Sequence, residues 1–170
     1  MFDYTVRAAT VHDALQLSNL RQLVDKETDH LDREEGEQVL SEAQFREILI
    51  KDHEEENRYC VVAEHNQQLV GFARLQGSNL KRFQHHVEFG AAIQKSHWGK
   101  RLGTRLLQDC LSYADDHQLA KVTLRVQESN YKALQLYKNY DFVIEGTLND
   151  DKRMPDGTLQ HTVLMARFLT

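Results

Sequence analysis

Residues 97–104, His97-Trp98-Gly99-Lys100-Arg101-Leu102-Gly103-Thr104, carry the clearest chemical signal in the chain. They open a helical pattern over 99–117, in which Leu102, Leu106, Leu107, Cys110, Leu111 and Ala114 share one face. The first turn of a helix leaves backbone N–H groups without partners and carries the positive end of the helix dipole. Glycines let an anion approach that backbone closely, and Lys100, Arg101 and Arg105 add positive charge. The segment therefore suits a phosphate. A second reading fits as well, in which Gly99 and Gly103 only allow the helix to pack tightly on a sheet. Two common phosphate loops are excluded. No Gly-Lys-Ser/Thr stands at Walker spacing. The dinucleotide fingerprint is incomplete, and no acidic residue ends a following parallel strand.

Other titratable residues are less ordered. The nine histidines are scattered, and adjacent His85 and His86 point to opposite faces of a strand, so no metal site is expected. The acidic stretch 26–35 suits either the attraction of a cationic amine or a solvated charged loop. Residues 52–56 read as a helix end, and 150–157 as a hairpin loop.

Positioning these groups requires elements, which the patterning supplies. Residues 4–7 read as a strand. Thr10 caps a helix bearing Val11, Ala14, Leu17, Leu20 and Val24. Residues 25–37 read as a loop or short irregular helix. Ser41 opens a second helix, and Gln44 three residues on completes a capping box. Strands follow at 59–64, 69–75 and 83–93, forming an antiparallel meander with a turn at Asn66-Gln67-Gln68. The last of them is expected to run directly into 97–104. After the long helix come a strand over 120–127, where Val122, Leu124 and Val126 alternate with polar residues, and a short helix over 130–139. Strands at 142–148 and 158–169 close the chain. The order β-α-α-β-β-β-α-β-α-β-β describes an α/β fold with a mixed, mostly antiparallel sheet flanked by helices. Residues 1–170 form one domain, since no linker, repeat or low-complexity segment interrupts them.

The residues on either side of the phosphate-binding turn resemble motif A of the GNAT superfamily of N-acetyltransferases, Gln/Arg-x-x-Gly-x-Gly/Ala after a strand. Here it reads Trp98-Gly99-Lys100-Arg101-Leu102-Gly103, preceded by Glu88-Phe89-Gly90-Ala91-Ala92-Ile93. Trp98 replaces the usual Gln or Arg. Arg101 replaces the middle glycine, and its side chain asks for a backbone conformation compatible with Cβ. Asn130-Tyr131-Lys132-Ala133-Leu134-Gln135-Leu136-Tyr137-Lys138-Asn139-Tyr140-Asp141-Phe142 resembles motif B, Asn-x-x-Ala-x-x-Leu-Tyr-x-x-x-Gly-Phe. Asp141 replaces its glycine and is expected to stop the helix in the left-handed region, which Asp and Asn tolerate. The resemblance covers residues 83 to the C-terminus.

The resemblance implies acetyl-CoA as cosubstrate, and it implies roles. The turn Trp98, Gly99, Lys100, Arg101, Leu102, Gly103 and Thr104 would hold the CoA pyrophosphate, with the Arg101 guanidinium on a phosphate. Ala91, Ala92 and Ile93, on a strand that splays from its neighbour, would offer backbone groups to the pantetheine arm, and Asn130 a hydrogen bond. Tyr137 corresponds to the proton donor for the departing thiolate. Glu88 resembles the base that takes the amine's proton, and a cross-strand partnership with Arg74 is the alternative reading. The acceptor is then a primary amine of a small molecule or a peptide N-terminus. A CoA-binding regulatory or sensor domain without acyl transfer is the alternative function. A homodimer is an assembly common among such relatives.

Composition narrows partners. The chain has 170 residues, 41% hydrophobic and 28% charged, with a net charge of −5, so a basic nucleic-acid footprint is not indicated. Cys60 and Cys110 sit in apolar patterns and read as buried free thiols. No membrane-length apolar run or signal-peptide pattern is present, and a cytoplasmic location is expected.

Overall fold

Alternation along the strands sets the architecture. In β2 (Arg58–His65), Cys60 and Val62 face one way and Val61 and Ala63 the other, and all four are buried. A strand buried on both faces needs helices on both faces. A computed structural model, which describes residues 3–170, supplies them. One layer holds α1 (Ala14–Glu27) and α2 (Glu42–Glu54), whose Leu17, Leu20, Val24, Phe45 and Leu49 pack on Cys60, Val62 and Leu69. The opposite layer holds α3 (Leu102–Asp116) and α4 (Tyr131–Asn139), with Leu102, Leu106, Leu107 and Cys110 packed on Val61, Ala73, Val87 and Phe89. Burying a leucine of this kind stabilises by roughly 1.5–3 kcal/mol.

Between the layers lies a seven-stranded sheet of order β1-β2-β3-β4-β5-β7-β6. The remaining strands are β1 (Thr5–Ala8), β3 (Gln68–Gly77), β4 (His86–Ile93), β5 (Lys121–Gln127), β6 (Val143–Arg153) and β7 (Leu159–Phe168). Element order and mixed sheet agree with the sequence expectation. Only β4 and β5 run parallel, joined by the α3 crossover. The capping box also forms: Ser41 N donates to Gln44 Oε1 at 2.8 Å, and Gln44 N to Ser41 Oγ at 3.2 Å.

Four expectations are corrected. First, β4 begins at His86, not at residue 83; Phe83 sits in a single 3-10 turn, Lys81–Phe83, because the ladder with β3 stops at the Gly77–Val87 pair. Second, β4 does not run straight into the glycine turn; a 3-10 turn, Lys95–His97, intervenes. Third, the long helix starts at Leu102, since left-handed Gly99 and Arg101 cannot join it. Fourth, residues 150–153 belong to β6, which continues past an irregularity between Leu148 and Lys152 where Asp150 adopts φ 49°. Cys60 and Cys110 are free and buried. Among the described residues, no helix is long and apolar enough to cross a membrane.

Candidate active site

The parallel pair creates the site. β4 and β5 pair at His86–Lys121, Val87–Val122 and Glu88–Thr123 and then part. The gap opens into a cavity of about 850 Å³. Of the residues singled out in the sequence, Glu88, Ala91, Ala92, Ile93, Trp98, Gly103, Asn130 and Tyr137 line it. Gly99, Lys100, Arg101 and Thr104 belong to the adjoining turn and do not line it. The Leu102 side chain is buried in the core, so that residue offers only its backbone.

The turn is shaped for an anion. The first intrahelical bond of α3 runs from Arg105 N to Arg101 O at 3.1 Å. No side chain caps the helix, which leaves the N–H groups of Leu102, Gly103 and Thr104 without an acceptor among the described residues. A Cβ on Gly103 would meet only Ile93 Cδ1, at 3.6 Å. That is an ordinary contact, so close helix–sheet packing does not require this glycine. Gly71 is different: a Cβ there would press on Ile93 Cγ1 at 3.2 Å and Ala92 O at 3.3 Å. Arg101 adopts φ 59°, ψ 21°, the left-handed conformation that glycine takes without cost. The expectation of a backbone altered to suit Cβ is therefore corrected: the turn keeps its glycine shape and Arg101 bears the strain, about 1–2 kcal/mol. Trp98 Nε1 donates to Ile93 O at 2.8 Å and ties the turn to the end of β4. Arg105 turns partly away, giving Nη2 to Tyr4 O at 3.1 Å.

Across the cavity, α4 contributes Asn130 and Tyr137. Asn130 is the N-cap, and its Oδ1 accepts from Ala133 N at 3.4 Å. This capping role was not apparent from the motif, and it leaves the side-chain N–H groups for a ligand. Tyr137 stands edge-on to Phe89 and Phe142, with centroids 6.1 and 5.7 Å away. Burial pushes its hydroxyl up to about 12, so it keeps its proton at neutral pH. As expected, Asp141 ends α4 with φ 66°, and Phe142 N bonds back to Tyr137 O at 3.1 Å.

Glu88 is exposed on β4 and has no hydrogen-bond or ion-pair partner among the described residues. The cross-strand alternative fails, because Glu88 pairs with Gln76 and the Arg74 guanidinium binds Asp52. His85 is exposed, while His86 lines the cavity and bonds Thr123 Oγ1 at 2.9 Å. Burial and then Lys121 hold His86 below the usual imidazole range. Sequence reading missed the other wall: Arg33 from the α1–α2 connection, Phe72, Arg74 and Gln76 from β3, and Phe83. The alternation of Arg74 and Gln76 with buried Ala73 and Leu75 looks like a solvated face, and only packing shows it lining a cleft. Of the acidic stretch 26–35, Thr28, His30, Leu31 and Asp32 line the cavity too. Lys152 Nζ fastens this connection by donating to Asp29 O, Leu31 O and Gln127 Oε1.

The profile of the acetyltransferase (GNAT) family matches residues 20–142. The chain belongs to the GNAT acetyltransferases. Among solved structures, a GNAT-family acetyltransferase from Streptococcus pneumoniae shares 25% identity, with a TM-score of 0.95, covering 98% of this chain and 100% of that one. A putative acetyltransferase from Salmonella typhimurium, solved with acetyl-CoA, shares 16% identity at TM-score 0.86, covering 98% and 94%. A ribosomal-protein-alanine N-acetyltransferase from Brucella melitensis shares 19% identity at TM-score 0.83, covering 97% and 99%. None of the curated proteins searched matches the chain. As a GNAT acetyltransferase, the chain catalyses acetyl transfer.

Proposed function

We propose that this protein transfers the acetyl group of acetyl-CoA to a primary amine of a small molecule or a peptide N-terminus. The observation that carries this reading is the parting of β4 and β5 after Glu88, which joins the uncapped end of α3, Tyr137 and Glu88 through one cavity. The free N–H groups of Leu102, Gly103 and Thr104 bind the CoA diphosphate, with Gly99, Lys100, Arg101 and Trp98 shaping the turn around it. The edge of β4 freed from β5 at Ala91, Ala92 and Ile93 offers backbone groups to the pantetheine amides, and Asn130 adds a donor. An exposed carboxylate without a partner, Glu88, accepts a proton from the ammonium, directly or through water. The neutral amine forms its N–C bond to the thioester carbonyl, the C–S bond breaks as Tyr137 gives its proton to the sulfur, and the extra proton left on the nitrogen passes to the tyrosinate, restoring the phenol. A tyrosine held protonated by burial suits that donor role.

Acetyl-CoA should raise the melting temperature, and amines should release free thiol from it. Absence of both would overturn the reading.

A further inference from the structure

Two arginines in the cavity wall are built the same way. Arg33, between α1 and α2, gives Nε and Nη2 to Asp25 at 3.0 and 3.3 Å. Arg74, on β3, gives Nε and Nη2 to Asp52 at 2.9 and 2.8 Å. Both aspartates are nearly inaccessible, with side chains 4% and 3% exposed. Each guanidinium is thus held along one edge, and Nη1 is left over. Arg33 Nη1 has no partner among the described residues, and Arg74 Nη1 has only Gln76 Oε1 at 3.5 Å. Both arginines line the cavity.

The aspartates position these cations without cancelling them. Asp52 also takes Arg58 Nε at 2.9 Å, so two cations share one carboxylate. Asp25 has buried Arg21 one helical turn before it, close enough for its charge and that of Arg33 to act on Arg21. Each cluster keeps one excess positive charge. Glu88 faces them as an unpaired negative charge. The ladder pairs Glu88 with Gln76 and Gly90 with Arg74, which makes Glu88 and Arg74 diagonal neighbours, about 7–8 Å apart. The floor between them is open, since a Cβ on Gly90 would meet nothing within 4 Å.

We infer that the acceptor is an amine carrying its own carboxylate, the chemistry of a free amino acid. Arg74 and Arg33 take the carboxylate through charge-assisted hydrogen bonds, and Glu88 faces the ammonium. This rests on the transferase reading above and selects among its acceptors. A peptide N-terminus, whose α-carboxyl is an amide, leaves both Nη1 groups without a charged partner.

The test compares the twenty free amino acids with their α-carboxamides as acceptors, measured by thiol release from acetyl-CoA. At least one acid should exceed its amide tenfold or more in kcat/KM. That ratio should fall at least tenfold in Arg74→Gln and, separately, in Arg33→Gln, with Arg74→Lys recovering part of it. The two variants lie on different elements, and a purely structural defect lowers both substrates without moving the ratio. Amides that equal or exceed every acid, release with none of the acids, or a ratio unmoved in both variants would overturn the inference. Release with amides alone leaves the transferase reading standing. Release with no amine, together with no thermal stabilisation by acetyl-CoA, removes that reading as well.

Discussion

Tyr137 and Arg101 each sit where the surroundings work against the side chain's ordinary preference. Burial favours the neutral phenol of Tyr137, and its folded value of about 12 exceeds the ordinary 10. The associated stability is present below pH 10 and lost as pH rises from 10 towards 12. Alkaline unfolding of wild type should therefore be steeper over that window than that of Tyr137→Phe. The same substitution should lower kcat about 100-fold while acetyl-CoA affinity stays within about twofold, as expected for a proton donor. Unchanged kcat would remove Tyr137 from the mechanism. At Arg101, glycine relieves the left-handed strain but gives the unfolded chain more freedom. Arg101→Gly should raise the apo protein's stability by about 0.5 kcal/mol in urea unfolding, by the balance of those two effects. Its stabilisation by acetyl-CoA should shrink, the outcome expected of a guanidinium that contacts a CoA phosphate. An undiminished ligand shift would show that the guanidinium makes no such contact.

The start of α3 separates packing from ligand binding at the element scale. Alanine at position 103 suits a helix better than glycine and clashes with nothing in the fold. Gly103→Ala should leave apo stability unchanged or raise it by about 0.5 kcal/mol, and it should keep acetyl-CoA affinity within about threefold by titration calorimetry, since the motif takes glycine or alanine there. Loss of apo stability with retained affinity would restore the packing explanation. The α1–α2 connection is a second case. Lys152 reaches from β6 to fasten it beside Arg33. Lys152→Met should raise the KM of the amine several-fold with little change in kcat or acetyl-CoA affinity. A change in acetyl-CoA affinity instead would show that Lys152 serves the nucleotide side.

At the scale of the whole molecule, the seven strands form one continuous sheet, and both helical layers pack on it. We propose that residues 1–170 fold as a single unit. Far-ultraviolet circular dichroism and the fluorescence of Trp98, the sole tryptophan, should then report one coincident thermal transition. Separate midpoints would divide the chain into independent units.

Local chemistry made much of this protein legible in its sequence. The order of elements follows from apolar spacing, the Ser41–Gln44 cap from two residues three apart, and the left-handed stop at Asp141 from the motif around it. These depend on residues within a turn or two of one another. The turn at Arg101 was read less well, because residue type alone does not reveal whether a backbone keeps a glycine conformation against a side chain. Of the cleft's far wall, only the stretch 26–35 was singled out in the sequence, as one of two readings, and the β3 residues were not. Residues 28–33, 72–77 and 86–93 meet only because the sheet sets β3 beside β4 while α1 and its following connection cross the same face. That Asp25 and Asp52 anchor Arg33 and Arg74 is a matter of contacts eight and twenty-two residues apart. Local patterning has no period that reports such contacts, so tertiary packing alone decided which charges face the cleft.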